Sequence, residues 1–329
     1  MKVRVLNATD IKNALPMEVA IDAMREAFSR ISAHKAVLPL RSHITLLEYD
    51  GVAEFMPAYL PPSESIVIKI VSVYPRNRLH QLSTIHALVV VLDAKTGQPS
   101  ALVEGEALTA IRTGAASGLA TDLLARPDAR AVAIFGSGVQ ARTQLEAVCT
   151  VRPIQGVWVY SPHRSRASEF AKEMSGQKAI PKEVFLATTP DEAVKDADII
   201  CTATTSSTPV FDGRSVKPGV HINAIGSFTP EMQEIDSETI RRALVVVDSK
   251  EAALAEAGDL LVPIKEGVIT KDHIHAELGE ILNGHKAGRI DEEQITIFKS
   301  VGIAVQDAAA AARALVKAAT NNWGQLIDL

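Results

Sequence analysis

Three cations stand in apolar company in this 329-residue chain. Lys69 lies in IVIKIVSV, a run apolar enough on both faces to read as a buried strand. A buried ammonium is expensive unless it meets an anion. Held dry, Lys69 would sit beside a bound carboxylate or cofactor; a side chain that snorkels to the strand edge is the alternative. Arg112 follows the apolar Ile111 in a helix of small residues. Its guanidinium can take a carboxylate through two parallel bonds, or pair with Glu104 or Glu106. Arg41, inside LPLRSHI, is the third cation and reads equally well as a surface strand charge. Glu54, in VAEFMPAYL, is the acid to place near them, unless it is simply an exposed strand residue. Three cations without a basic stripe point to a small anionic substrate and away from nucleic acid.

A second constellation is AVAIFGSGVQARTQLEAV, residues 131–148. A β-branched run breaks into Gly136-Ser137-Gly138, and a helical pattern begins near Gln140. Strand, glycine turn and helix is the context in which G-x-G-x-x-G/A reads as dinucleotide binding, although an ordinary βα turn can also carry two glycines. Gly136 would allow the tight turn, Gly138 the approach of backbone to a pyrophosphate, and Ala141 close packing of helix on strand. The helix N-terminus offers free N–H groups to the phosphates. The next strand, VWVY, ends at Ser161, where an NAD-preferring site usually carries Asp or Glu. Ser161, Arg164 and Arg166 suit a 2′-phosphate better, so NADP(H) is expected over NAD(H).

Other chemistries find less support. His273, His275 and Glu277 are close in sequence, but i, i+2 residues diverge on a helix, and no HExxH occurs, so no metal is expected. No G-x-S-x-G elbow is present. Cys149 and Cys201 lie outside any CxxC and read as core thiols of a reducing, cytoplasmic compartment. No signal sequence follows Met1, and no apolar run is long enough to span a membrane; the Ala-rich 303–319 segment is interrupted by Asp307, Arg313 and Lys317.

The elements that must position these residues fall into two textures. Apolar residues make up 47% of the chain and the net charge is −5, as in a well-buried globular protein of about two domains. The first block pairs a helix, capped by Thr9 or Asp10, with strands near 3–6, 43–48, 52–56, 66–73 and 85–92. Turn signals at Asp50-Gly51, Pro61-Pro62, Arg76-Asn77 and Thr96-Gly97 separate the strands, so an antiparallel or mixed sheet is expected. After the small-residue helix that begins near 107, strands near 132–135, 157–160, 184–186, 198–201, 220–224 and 244–247 alternate with helices. That is the pattern of an α/β doubly wound parallel sheet of Rossmann type. Helices are expected near 251–257, 272–283, 291–296 and 300–319. The last returns to the first block, giving a discontinuous α+β substrate domain (1–111 and 306–329) around a dinucleotide domain (112–305).

RSHI at 41–44, MPAY at 56–59, IKIVSVYPRN from 68, STIHALVVVLDAKTGQP from 83, LTAIRTGAASGLATDLLAR from 108, FGSGVQA from 135, INAIGSFTPEMQEID from 222 and FKSVGIAVQD from 298 together resemble the ornithine cyclodeaminase/mu-crystallin family, almost end to end. The resemblance implies a Rossmann domain joined to a substrate and dimerisation domain, in a homodimer. It implies that Arg41, Lys69 and Arg112 bind a substrate carboxylate, with Gly302 beside the substrate. It assigns the cofactor to Thr84, Arg112, Gly138, Val139, Gln140, Ser161, Thr202, Ala224, Ile225, Gly226 and Val301. Family cyclodeaminases carry an Asp two residues after the glycine of the INAIG-like turn, and here that place holds Phe228, which cannot act as acid or base. The resemblance therefore implies reduction of a cyclic ketimine carboxylate such as delta-1-pyrroline-2-carboxylate, with Lys69, or a water ordered by Glu54, supplying the nitrogen's proton. Ornithine cyclodeamination, alanine dehydrogenation and binding of a small ligand without turnover are the family's other activities.

Overall fold

The computed structural model describes residues 1–61 and 63–329; Pro62, half of the expected Pro61-Pro62 turn, lies outside the described residues. Two compact units emerge, Met1–Arg112 with Ile303–Leu329, and Thr113–Gly302.

The first unit is built on a seven-stranded mixed sheet. Its strands are β1 (Lys2–Leu6), β2 (Ser42–Leu46), β3 (Gly51–Tyr59), β4 (Ser65–Val73), β5 (Ile85–Asp93), β6 (Pro99–Glu104) and the strand Gln325–Asp328. The order is Gln325–Asp328, β1, β6, β5, β4, β3, β2. Among the described residues only the β1–β6 pair is parallel. The first helix, Ala8–Ala14, starts at Asn7 rather than at Thr9 or Asp10. Asn7 accepts the amides of Thr9 and Asp10, and Asp10 accepts the Asn7 amide in return, which satisfies three otherwise orphaned donors. Pro16 starts the next helix, Met17–Ser32. Its Met17, Ala20, Ile21, Met24 and Phe28 recur at helical spacing and are buried. The helix Ala304–Asn321 packs on Met17–Ser32, β3 and β4. That contact brings residues of the C-terminal helix to Lys69 on β4.

The second unit holds eight strands, all parallel: β7 (Ala131–Phe135), β8 (Gly156–Tyr160), β9 (Phe185–Leu186), β10 (Ile199–Thr202), β11 (His221–Ala224), β12 (Leu244–Val247), β13 (Ile274–Glu277) and β14 (Thr296–Lys299). The order is β13-β12-β14-β11-β10-β7-β8-β9. β8 and β9 lie on one side of β7, and β10 and β11 on the other. The winding direction reverses beside β7, the place where doubly wound sheets bind ligands at strand C-termini. Period-two alternation sends Val132 and Ile134 into one core and Ala133 and Phe135 into the other, so the sheet is buried on both faces.

One expected helix gives way to a strand and another to irregular backbone. The segment 272–283 contains β13 before a short helix, Leu278–Leu282, and 291–295 is irregular chain that leads into β14. Both strands have four residues, and an apolar run that short carries no usable period. The strands β6 and Gln325–Asp328 were likewise without a sequence signal.

Within the second unit His221 is fully buried on β11, its ring nitrogens against Thr296 Oγ1 at 2.9 Å and Asn223 Oδ1 at 3.2 Å. Burial, with Arg289 nearby, drives its pKa down from 6.5 to about 3. The unfolded chain therefore takes up a proton below pH 6.5 that the folded chain refuses. Stability is lost as pH falls, by about 1.4 kcal/mol per pH unit at most, until pH 3 is approached. The His221→Gln variant should be less stable at pH 7 yet lose about 2 kcal/mol less between pH 6 and pH 4, as read from urea midpoints. An unchanged pH slope would remove His221 as the cause.

Candidate functional site

In the first unit, Lys69 projects from β4 and is 4% exposed. Its ammonium lies 3.6 Å from Asp307 Oδ1. Arg112 Nε donates to the same oxygen at 3.1 Å, and Arg112 Nη1 donates to Gln306 Oε1 at 2.7 Å. Arg112 thus pairs with Asp307 and Gln306 rather than with the expected Glu104 or Glu106. Glu104 accepts the amides of Glu106 and Ala107 at the start of the helix Gly105–Leu124, and Glu106 lies beside His86. Arg41 pairs with Glu54 at 3.5 Å, both half-buried. Thr84 is half-buried, and its carbonyl accepts the Tyr74 amide.

The charges do not balance inside this cluster. Two buried cations, Lys69 and Arg112, face one buried carboxylate, Asp307. The Arg41–Glu54 pair beside them is neutral as a whole. A surplus positive charge out of water is costly unless an anion completes it. Burial pulls the Lys69 pKa down to about 8; Asp307 opposes the fall, and Arg112 and Arg41 add to it. The ammonium is therefore poised to release a proton near neutral pH.

The second unit carries the glycine turn. Gly136 has φ +103°, and a Cβ there would meet Ala203 O at 2.5 Å. Gly138 starts the helix Val139–Val151 with no side-chain cap, and a Cβ at Gly138 would meet nothing within 4 Å. Open space before uncapped N–H groups fits a pyrophosphate. Arg142 Nη1 donates to the carbonyls of Ser137 and Gly138 at 2.7 and 3.0 Å, while the rest of its guanidinium is forked onto Glu173. The turn is thus held through its carbonyls. Ala141 is fully buried, Val139 exposed and Gln140 half-buried. At the end of β8, Ser161 Oγ accepts the His163 amide, and Arg164 is exposed at the start of the following helix, Arg164–Met174.

Buried acids hold the neighbouring loops. Glu234 accepts Thr202 Oγ1 at 2.9 Å, the Thr204 amide at 2.6 Å, and the amides of Gly226 and Ser227 at 2.6 and 3.1 Å. One carboxylate therefore ties the end of β10 to the end of β11, and so fixes Thr202 and the Ala224-Ile225-Gly226 turn. A Cβ on Gly226 would meet Thr204 O at 2.2 Å. Asp259 accepts the Glu234 and Ile235 amides and takes the buried Lys299 ammonium at 2.9 Å. Burial, then Asp259, pushes the Glu234 pKa up, while Lys299 pulls against them. Asp248, just past β12, accepts Ser300 Oγ and the amides of Val301 and Gly302 at 2.7, 3.0 and 2.7 Å. His273 and His275 each place a ring nitrogen against a backbone carbonyl.

Sequence reasoning did not find Gln306, Asp307, Glu234, Asp248, Asp259, Lys299 or Arg142. Only Lys299 had a usable signal, a lysine inside the apolar run ITIFKSV, which is the signal that singled out Lys69.

Comparison with known proteins follows the same lines. The profile of the ornithine cyclodeaminase/mu-crystallin family matches residues 1–321. A delta(1)-pyrroline-2-carboxylate reductase of Bacillus cereus is 42% identical over 98% of this chain and 99% of its own. The solved structure of the Thermococcus litoralis delta(1)-pyrroline-2-carboxylate reductase in complex with NADH and L-proline superposes with a TM-score of 0.95 at 43% identity, covering 99% of this chain and all of that one. An archaeal alanine dehydrogenase dimer with bound NAD superposes at 0.92 with 33% identity, covering both chains completely.

Removal of the Glu234 carboxylate leaves Thr202 Oγ1 and the Thr204 and Ser227 amides without their acceptor, while the Gly226 amide keeps the Thr202 carbonyl. Each unmet buried donor costs about 1–3 kcal/mol, so Glu234→Ala should lower stability by about 3 kcal/mol or more in urea unfolding. A loss below about 1 kcal/mol would mean the loops find other acceptors.

Proposed function

The chain belongs to the ornithine cyclodeaminase/mu-crystallin family, and within it we propose that it reduces a cyclic ketimine carboxylate, delta-1-pyrroline-2-carboxylate or a close analogue, to the cyclic amino acid, here L-proline. The observation that carries the reading is the uncompensated positive charge of the Lys69–Asp307–Arg112 cluster. It calls for one small carboxylate. Phe228 adds the second argument. It is 41% exposed in the turn after β11 and has no ionisable group with which to remove an amino group as ammonia. The reductases of Bacillus cereus and Thermococcus litoralis support the same choice.

Arg112 and Arg41 would hold the carboxylate and so fix the ring. Lys69 would lend its charge to that carboxylate and give the imine nitrogen its proton, which makes the C=N carbon electrophilic. Glu54, paired with Arg41, would orient the arginine or a water rather than act as a free base. The dinucleotide, when bound, supplies the hydride. Gly136, Gly138, Val139 and Gln140 would cradle its pyrophosphate. Thr202, the Ala224-Ile225-Gly226 turn and Val301, with Gly302 toward the substrate, would line the rest of its path. Buried Glu234 and Asp248 keep those loops in place.

The finer assignments are part of the proposal. Ser161 and the exposed Arg164 and Arg166 favour NADP(H) over NAD(H). That preference would set this chain apart from the relatives described with NADH and NAD. A homodimer is proposed because Leu40, Ile44 and Leu47 are exposed along the β2 edge and the archaeal relative is described as a dimer. A cytoplasmic setting suits two unpaired buried thiols whose pKa values burial pushes up to about 12. No described helix is long and apolar enough to cross a membrane. The archaeal alanine dehydrogenase favours a second reading, reduction of an open-chain imine formed from a 2-oxo acid and ammonia.

NADPH oxidation with delta-1-pyrroline-2-carboxylate should be rapid, while L-ornithine with NAD should release no ammonia. Ammonia release would favour cyclodeamination, and turnover only with pyruvate plus ammonia would favour the second reading. NADH outperforming NADPH in kcat/KM would remove the NADP preference. Lys69→Ala should lower kcat/KM at least about 100-fold. Because Lys69 must carry a proton to act, kcat/KM should fall as pH rises through about 8. A parent-like rate in Lys69→Ala would overturn the role of Lys69.

A further inference from the structure

Asp307 is the one buried carboxylate described in the first unit, and the proposed function leaves it without a task. It lies in the first turn of the helix Ala304–Asn321, beside Gln306. Its Oδ1 meets both buried cations, Lys69 at 3.6 Å and Arg112 at 3.1 Å. Gln306 Oε1 takes a second guanidinium proton from Arg112 and also the Ile303 amide. One helical turn thus fixes β4's lysine and the arginine of the helix Gly105–Leu124 at a single point. A buried ion pair kept only for structure has its remaining lone pairs and protons satisfied. Here Asp307 Oδ2 and Gln306 Nε2 are both buried and have no hydrogen-bond partner among the described residues. The turn retains unused acceptor and donor capacity next to the two cations assigned to substrate.

We propose that Asp307, assisted by Gln306, is the positioning residue of this site: its carboxylate holds Lys69 against Arg112 and keeps the lysine an ammonium able to donate a proton. The inference rests on the proposed role of Lys69 as proton donor. Four charged groups act on Lys69 or its neighbours: Asp307, Arg112, Arg41 and, through Arg41, Glu54. Only Asp307 favours the charged lysine directly. Burial and both arginines disfavour it. Without the carboxylate, Lys69 would lose its proton at a lower pH, and nothing would hold the two cations together against their repulsion.

Asp307→Asn keeps the volume and removes the charge. The alkaline limb of kcat/KM for delta-1-pyrroline-2-carboxylate should move down by about one pH unit or more, which means about a fivefold or larger loss at pH 8 and about tenfold above pH 9. At pH 6 the variant should recover to within a few-fold of the parent. Dinucleotide affinity, read by quenching of protein fluorescence, should change less than twofold. That readout reports the unit of the glycine turn, and an unchanged urea midpoint reports that the unit of Asp307 is folded. A limb that stays in place in a folded Asp307→Asn variant would overturn the proposal. Where that variant fails to fold, Asp307→Glu decides. It keeps the charge but displaces it, so KM should rise while the limb remains near its parental pH, and a shifted limb would overturn the proposal. Lys69→Ala separates the two claims. If it retains the parental alkaline limb, the limb does not belong to Lys69, and the proton-donor reading fails whatever Asp307 does.

Discussion

Two positive charges cannot be buried together against a single negative one without consequence. In the first unit Lys69 and Arg112 converge on Asp307, which leaves the site one positive charge in surplus. Much else in that unit serves the arrangement. β4 must be internal to the sheet for Lys69 to be dry, and β3 and β5 flank it over nine paired positions or nearly so. The Ala-rich face of the helix Ala304–Asn321 must be small enough to settle on β3 and β4, so that a carboxylate on its first turn reaches a lysine on a strand. The Arg41–Glu54 pair brings a further guanidinium near without altering the total charge.

The second unit applies a related device to a different end. Its buried carboxylates face backbone amides more than cations. Glu234 ties the ends of β10 and β11 together, and Asp248 gathers residues 300–302. Loops at the C-terminal edge of a parallel sheet would otherwise be the most mobile part of such a domain. Acids anchored in the core shape them without placing charge on their outer surface. Lys299, fully buried on β14, partly offsets the carboxylates through Asp259.

Most of the architecture was legible because long elements repeat their pattern. The strand-glycine-helix passage at 131–148 and the apolar spacing of Met17–Ser32 leave little choice of conformation. β13 and β14 were missed because a run of four residues fits a strand and a helix flank equally well, and only the neighbouring strands decide. Lys69 could be singled out because a lysine in an apolar strand poses a problem that needs a partner. The partner itself could not be read. Asp307 stands in an Ala-rich helix where it looks like a solvated charge, 195 residues from the arginine it binds. Glu234 and Asp248 were missed for the same reason: an acid that accepts backbone amides leaves no trace in residue types, since every segment has amides to offer.

The discontinuity of the first unit has a temporal side. Residues 113–302 form a contiguous stretch that makes up the second unit, whereas the first unit needs Ile303–Leu329. The strand Gln325–Asp328 completes its sheet beside β1, and Asp307 neutralises part of its charge. At ribosomal speeds of about 5–20 residues per second, the 195 residues between Arg112 and Asp307 take roughly 10–40 s to make. Throughout that interval Lys69 and Arg112 lack the carboxylate they share in the fold. The nascent chain can therefore assemble its nucleotide-type sheet first, and the polar centre of the other unit is completed only once Asp307 has been made.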